Sequence, residues 1–308
     1  MARTRLRWWT ELPLIAVVYG VYSAGRLLAR GDVSTAVDHG LAILRLEERL
    51  SLDPERFLNR LFTGHAWLGV PADFAYATLH YVVTPAVLVW VFRRHSAHYR
   101  RLRTWLMVST LIGLAGFTLV PTCPPRLLAA AHGFTDTMAQ YGEYGWWGGE
   151  ASAPRGLGGL TNQYAAMPSL HVGWALWCGV VLWRLGGRGP WARAAAVGYP
   201  LLTTVVVMGT ANHYLLDAVA GAAVMGAGLL LTRPALRCAD RAAAWARRYG
   251  PDGRAEDARP GGPLPGRRAA APAREELNST IVTAGCHTSP GEQQPRQPTD
   301  DSPAPAAR

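Results

Sequence analysis

Long uncharged apolar runs alternate with short polar stretches along most of this chain. Six runs, Leu12 to Leu28, Pro71 to Phe92, Thr104 to Val120, Ser169 to Leu185, Trp191 to Met208 and Leu215 to Leu231, carry almost no charge in their middles. Each is close to the ~20 residues an α-helix needs to cross the hydrocarbon core, and lipid favours helices because their backbone polar groups are satisfied internally. The pattern predicts an all-α polytopic membrane protein, with a six-transmembrane-helix bundle over residues 1–250. Between the first two runs, Val37, Leu41, Leu44, Leu46 and Leu50 recur at helical spacing among Arg45, Glu47, Glu48 and Arg49. This predicts an amphipathic helix on the outer face, followed after Pro54 by a second, shorter one. Beyond residue 250 the chain turns to Pro, Gly, Ala and Arg, so residues 251–308 are expected to form a disordered cytoplasmic tail.

Charge orients the bundle. All 31 basic residues are arginine, which reads as the codon bias of a GC-rich genome. Loops on the side of the N-terminus hold sixteen arginines against seven on the opposite side, and cytoplasmic loops retain the basic excess. Both termini are therefore expected in the cytosol of a bacterium, with the chain multi-pass in its cytoplasmic membrane. The net charge of +10 is explained by this topology, so no nucleic-acid partner is expected. Arg3, Arg5 and Arg7 before the first run imitate a signal peptide, but an uncleaved first helix is the favoured reading. Cys123, Cys178, Cys238 and Cys286 are scattered over both sides and the tail, and build neither a disulfide framework nor a zinc site. The sequence gives no sign of a bound cofactor, and the oligomeric state is left open.

The same topology collects the candidate chemistry. Met167-Pro168-Ser169-Leu170-His171 opens the fourth run and Asn212-His213-Tyr214-Leu215-Leu216-Asp217 opens the sixth, both on the outer side. His213 and Asp217 are spaced i, i+4 and share a face if both are helical. A carboxylate there accepts the Nδ1 proton, fixes the tautomer and leaves Nε2 as nucleophile or base. Ser169 is a natural N-cap, and the positive end of its helix suits an anion. His171 is placed to protonate a leaving oxygen or simply to sit at the interface. Arg126 follows a stiff Pro-rich turn outside the third run, where a guanidinium meets either a phosphate or lipid headgroups. His80 and Tyr76, one turn apart in the second run, suggest a hydrogen bond between helices. Trp146 and Trp147 in the long loop suit anchoring at headgroup level.

Pro121 to Leu128, Asn162 to His171 and Gly209 to Gly221 resemble the three motifs of the type 2 phosphatidic acid phosphatase superfamily, and within it the branch that includes inositol phosphorylceramide synthases. The resemblance covers roughly residues 10 to 235 in span order. It implies a metal-independent six-helix enzyme in which His213 attacks phosphorus, Asp217 orients it and His171 protonates the leaving group. It also implies that Ser169, Arg126 and Asn212 hold the phosphate. Leu170 stands where the common pattern has glycine, Val207 where it has arginine, and the first-motif lysine is absent. These departures point to the inositolphosphotransferase-like branch. The expected activity is a phosphotransferase or phosphatase on a lipid phosphate ester at the outer face, with water or a polyol or sugar hydroxyl as acceptor. The competing expectation is a transporter or scaffold whose outer histidines bind a ligand without catalysis.

Overall fold

The computed structural model of the chain describes residues 32–147 and 162–249, with seven isolated positions of the first apolar run from Trp9 to Ala24. The expected tail and the middle of the long loop lie outside the described residues. Within them the fold is helical and contains no strands, and an isolated bridge joins Thr122 and Ala165.

The α-helices of these regions are α1 (Val33–Arg49), α2 (Pro54–Gly64), α3 (Ala66–Arg94), α4 (Ser96–Leu119), the short α5 (Thr137–Gln140), α6 (Leu170–Leu185), α7 (Pro190–Gly209) and α8 (Leu215–Tyr249). Four of the predicted spans, α3, α4, α7 and α8, are long and apolar enough to cross a membrane. The fourth predicted span, α6, is apolar but shorter, at 16 residues. The first span falls mostly outside the described residues. Large apolar side chains such as Tyr81, Val82, Leu119, Leu201 and Leu230 are exposed on the bundle, the arrangement lipid rather than water selects.

Helix α4 lies along α8, and α6 lies between α7 and α8. At the end remote from the loops, Val91, Tyr99, Trp105, Trp177, Cys178 and Met225 form a buried cluster. Indole N–H groups tie that cluster together: Trp105 Nε1 donates to the Met225 carbonyl at 2.7 Å and Trp177 Nε1 to the Leu102 carbonyl at 3.1 Å. These bonds satisfy backbone and indole groups that lipid could not. Arg103 and the buried Glu11, just ahead of the first run, form an ion pair at the same end.

At the opposite end α1 packs on the start of α8 and α2 on α7. The buried stripe of α1 differs from the expected one, however. It consists of Ala36, Gly40, Leu44 and Glu47, whereas Leu46 and Leu50 are exposed. Gly40 is required by a close approach: a Cβ there would lie 2.6 Å from the Cys123 carbonyl and 2.9 Å from the Tyr214 hydroxyl. Asn59 of α2 fastens the loop beneath. Its Nδ2 donates to the carbonyls of Thr135 (2.9 Å) and Gly209 (3.0 Å), and its Oδ1 accepts the Thr135 N–H at 2.9 Å. Asn59→Ala leaves one buried and two partly buried backbone partners unpaired and is expected to lower stability by about 1 to 3 kcal/mol, read as a fall in the detergent-solubilised unfolding midpoint.

Trp146 is 45 % exposed, as an interfacial anchor would be, but Trp147 is fully buried. Its Nε1 donates to the Met138 carbonyl at 2.9 Å and its ring meets Phe74 edge-on. Trp147 thus pins the loop to α3 and does not serve as a headgroup anchor.

Candidate active site

Alternation of helix directions brings the end of α4, the start of α6, the end of α7 and the start of α8 to one end of the bundle. The turn from α7 into α8 reverses through Ala211, whose φ of 54° is in the left-handed region. The Val207 carbonyl accepts both Asn212 N–H (3.0 Å) and His213 N–H (3.1 Å). His213 therefore precedes the helix instead of lying in it. Asp217 still reaches it from the first turn of α8: Oδ2 lies 3.3 Å from His213 Nδ1 and accepts the Tyr214 N–H at 2.9 Å. The second bond is the reciprocal half of a capping box, a first-turn side chain returning to the backbone N–H at the helix entrance. One carboxylate thus caps α8 and orients the histidine, leaving Nε2 as the available ring nitrogen. His213 is buried and Asp217 fully so.

Ser169 caps α6, its Oγ accepting the Val172 N–H at 3.5 Å, while its own N–H donates to the Asp217 carbonyl at 2.9 Å. The positive ends of α6 and α8 are therefore joined. Gly221 allows this approach, because a Cβ there would collide with the Ser169 carbonyl backbone. Gly221→Ala is expected to push α6 from α8, costing about 1 to 3 kcal/mol of stability; the unfolding midpoint checks it. Leu170 seats against Gly113 of α4, and Pro168 against Gly116. The bulky residue ahead of His171 thus fills a notch in α4 and leaves the mouth of α6 open.

The His171 and His213 rings face one another with centroids 5.7 Å apart and planes inclined by 59°. Tyr76 stacks on His171 at 4.6 Å, and His80 meets it edge-on at 4.4 Å. The sequence suggested that His80 bonds between helices; its position against His171 adds it and Tyr76 to the site. A recess lined by Tyr76, His80, His171, Tyr199, Thr203 and Val207 opens beside these rings.

Arg126 stands next to the turn. Its N–H donates to the Ala211 carbonyl at 2.9 Å, Nε to Asn212 Oδ1 at 2.9 Å, and Nη1 to Asp136 Oδ2 at 2.8 Å. Asn212 Nδ2 is in turn bound to Thr210 Oγ1 at 3.0 Å. Both polar ends of Asn212 are thus engaged, and it acts on the site by aiming the guanidinium. Asp136, which the sequence pattern did not single out, sets the opposite edge and leaves Nη2 as the remaining donor group.

Two further carboxyls lie behind Asp217. Glu47 of α1 and Glu55 of α2 are completely buried, and Glu47 Oε1 accepts the Leu216 N–H at 2.6 Å. Burial pushes the Glu47 carboxyl up to about 9, with the adjoining Glu55 adding to the rise; burial raises Glu55 as well. Among the described residues no group of three or more His, Cys, Asp or Glu is arranged to hold a metal ion.

No curated protein and no solved structure matches the chain significantly. A family model described as the PAP2 superfamily, a family of membrane lipid phosphatases and phosphotransferases, matches residues 41–231, which include α3 to α7, both histidines, Asp217 and Arg126. Spanning well over half of the sequence, this match shows that the chain belongs to the PAP2 superfamily.

Proposed function

We propose that the protein is a phosphotransferase or phosphatase that acts on a lipid phosphate ester through a phosphohistidine at His213. The observation that carries this reading is the carboxylate-held His213 facing His171 across the joined starts of α6 and α8. The Nε2 lone pair of His213 attacks phosphorus, the bond to the lipid oxygen breaks, and the departing oxygen takes a proton from His171. His171 then removes a proton from water or from a polyol or sugar hydroxyl, which attacks phosphorus and releases His213. Charge developing on the phosphoryl oxygens is met by Arg126 Nη2 and by the helix start at Ser169. Asn212 contributes through Arg126.

Leu170, Val207 and the absence of lysine favour the inositolphosphotransferase-like branch, in which a headgroup moves to an acceptor. The arginine distribution favours the extracytoplasmic face. The test is acid quenching of purified protein with phosphorus-labelled phosphatidate, phosphatidylinositol or polyprenyl phosphate, with and without inositol. Label retained on protein and lost in His213→Ala supports the reading, and transfer to inositol identifies the branch. Ligand binding without labelled protein or product in any arm returns the transporter or scaffold reading.

A further inference from the structure

Glu47 and Glu55 belong to different outer helices, yet their carboxyls meet in a fully buried contact. Among the described residues only one of their four oxygens has a hydrogen-bond donor from another residue: Glu47 Oε1, bound to the Leu216 N–H. Glu47 Oε2 and both Glu55 oxygens have none. The charged and titratable groups facing the pair aggravate the problem, since Asp53 at the turn into α2 and Asp217 on α8 are acidic and Tyr214 is a phenol. Arg56, next to Glu55, is turned to Glu48 at 2.5 Å and Asp53 at 3.5 Å. Two ionised carboxylates confined here would repel each other with neither charge compensated. A proton on one of them converts the contact into a donor and an acceptor.

We propose that Glu47 and Glu55 share one proton across the α1–α2 junction, and that this pair is a positioning element holding the start of α8, and with it Asp217 and His213, in catalytic register. The link is the Leu216 N–H, one residue before Asp217, which Glu47 caps from another helix. Protonated Glu47 offers Oε1 to Leu216 and its hydroxyl to Glu55. When the shared proton leaves, three carboxylates crowd one buried point, and α1 and α2 are driven from the end of α8. The catalytic half of the proposal rests on the role assigned to His213; the shared proton does not.

The sign of the pH effect follows from linkage. Glu47 releases its proton near its ordinary value of 4.5 in the unfolded chain and at about 9 in the fold. Between these values the fold holds more protons, so the contribution is complete below the first and is lost as pH rises through the second.

The experiment compares wild type, Glu47→Gln, Glu55→Gln and Glu47→Ala in detergent. A glutamine amide donates to the facing carboxylate as the proton does, without titrating. From about pH 6 to about pH 9.5 the wild-type unfolding midpoint should fall by several degrees, and less than half as far in Glu47→Gln. With dioctanoyl phosphatidate as probe, the alkaline limb of the wild-type rate should lie near 9 and move up by at least about one pH unit in Glu47→Gln. Glu47→Ala should lose at least about tenfold in kcat at neutral pH, most of it recovered in Glu47→Gln. The proposal is overturned if both glutamine variants keep the wild-type pH dependence of stability, or if Glu47→Ala is as active and stable as Glu47→Gln. Failure of every variant and wild type to turn over the probe counts against the function of His213, while the unfolding arm still decides for or against the shared proton.

Discussion

Replacement of His213 by alanine is expected to lower phosphoryl transfer by at least about ten-thousandfold, some 5 kcal/mol in barrier height. The size follows from the role. A nucleophile that forms the covalent bond to phosphorus cannot be replaced by water at the same position, because water lacks both the fixed geometry and the carboxylate partner. Asp217 Oδ2, 3.3 Å from Nδ1, would be left with only the Tyr214 N–H. Some structural loss is therefore expected, and His213→Gln serves as the companion variant that retains a donor toward Asp217. Both should bind the lipid donor, and neither should yield acid-quenched labelled protein. Turnover by either variant within tenfold of wild type, with product formed at the same site, would exclude covalent catalysis by this residue.

The outline of this site is legible in the sequence because its determinants are either local or topological. His213 and Asp217 are four residues apart, and their partnership survives although His213 precedes the helix, since a first-turn side chain reaches back over that distance. His171 and His213 lie far apart in sequence but at the same end of alternating apolar spans, so counting spans brings them together. Arg126 is found the same way. Residues whose role comes from packing alone are not legible in this manner. Glu47 and Glu55 look like solvent-facing positions of amphipathic helices, and only the arrangement of α1 and α2 over α8 buries them. On α1, Leu46 and Leu50 satisfy a helical apolar pattern better than Gly40 does. The stripe is nonetheless set by the small residues Ala36 and Gly40, which allow close approach to Cys123 and Tyr214. Asp136 belongs to an irregular loop with no periodicity to read, and its pairing with Arg126 depends on Asn59 fastening that loop.

Replacement of His171 by glutamine is expected to cost about a hundredfold to ten-thousandfold on a lipid alkyl phosphate, the range for loss of a positioned general acid. The diagnostic feature is how that loss varies with the leaving group. An alkoxide leaves poorly without a proton, whereas a nitrophenolate leaves readily as the anion. The deficit in the phosphorylating half-reaction, read as the burst rate, should therefore shrink to less than about tenfold on an aryl phosphate. Resolution of the intermediate still needs a base for the acceptor hydroxyl, and in the proposed mechanism the same side chain supplies it. With an aryl donor, His171→Gln should release one equivalent of nitrophenol in a burst and then stall, with label accumulating on His213. Tyr76 stacked at 4.6 Å and His80 edge-on at 4.4 Å surround the ring, so a planar amide of similar size leaves the packing largely intact. A structural defect would depress both donors equally and show no burst. A deficit in that half-reaction that is the same for alkyl and aryl donors would therefore remove His171 from proton transfer and confine its role to shaping the mouth of α6.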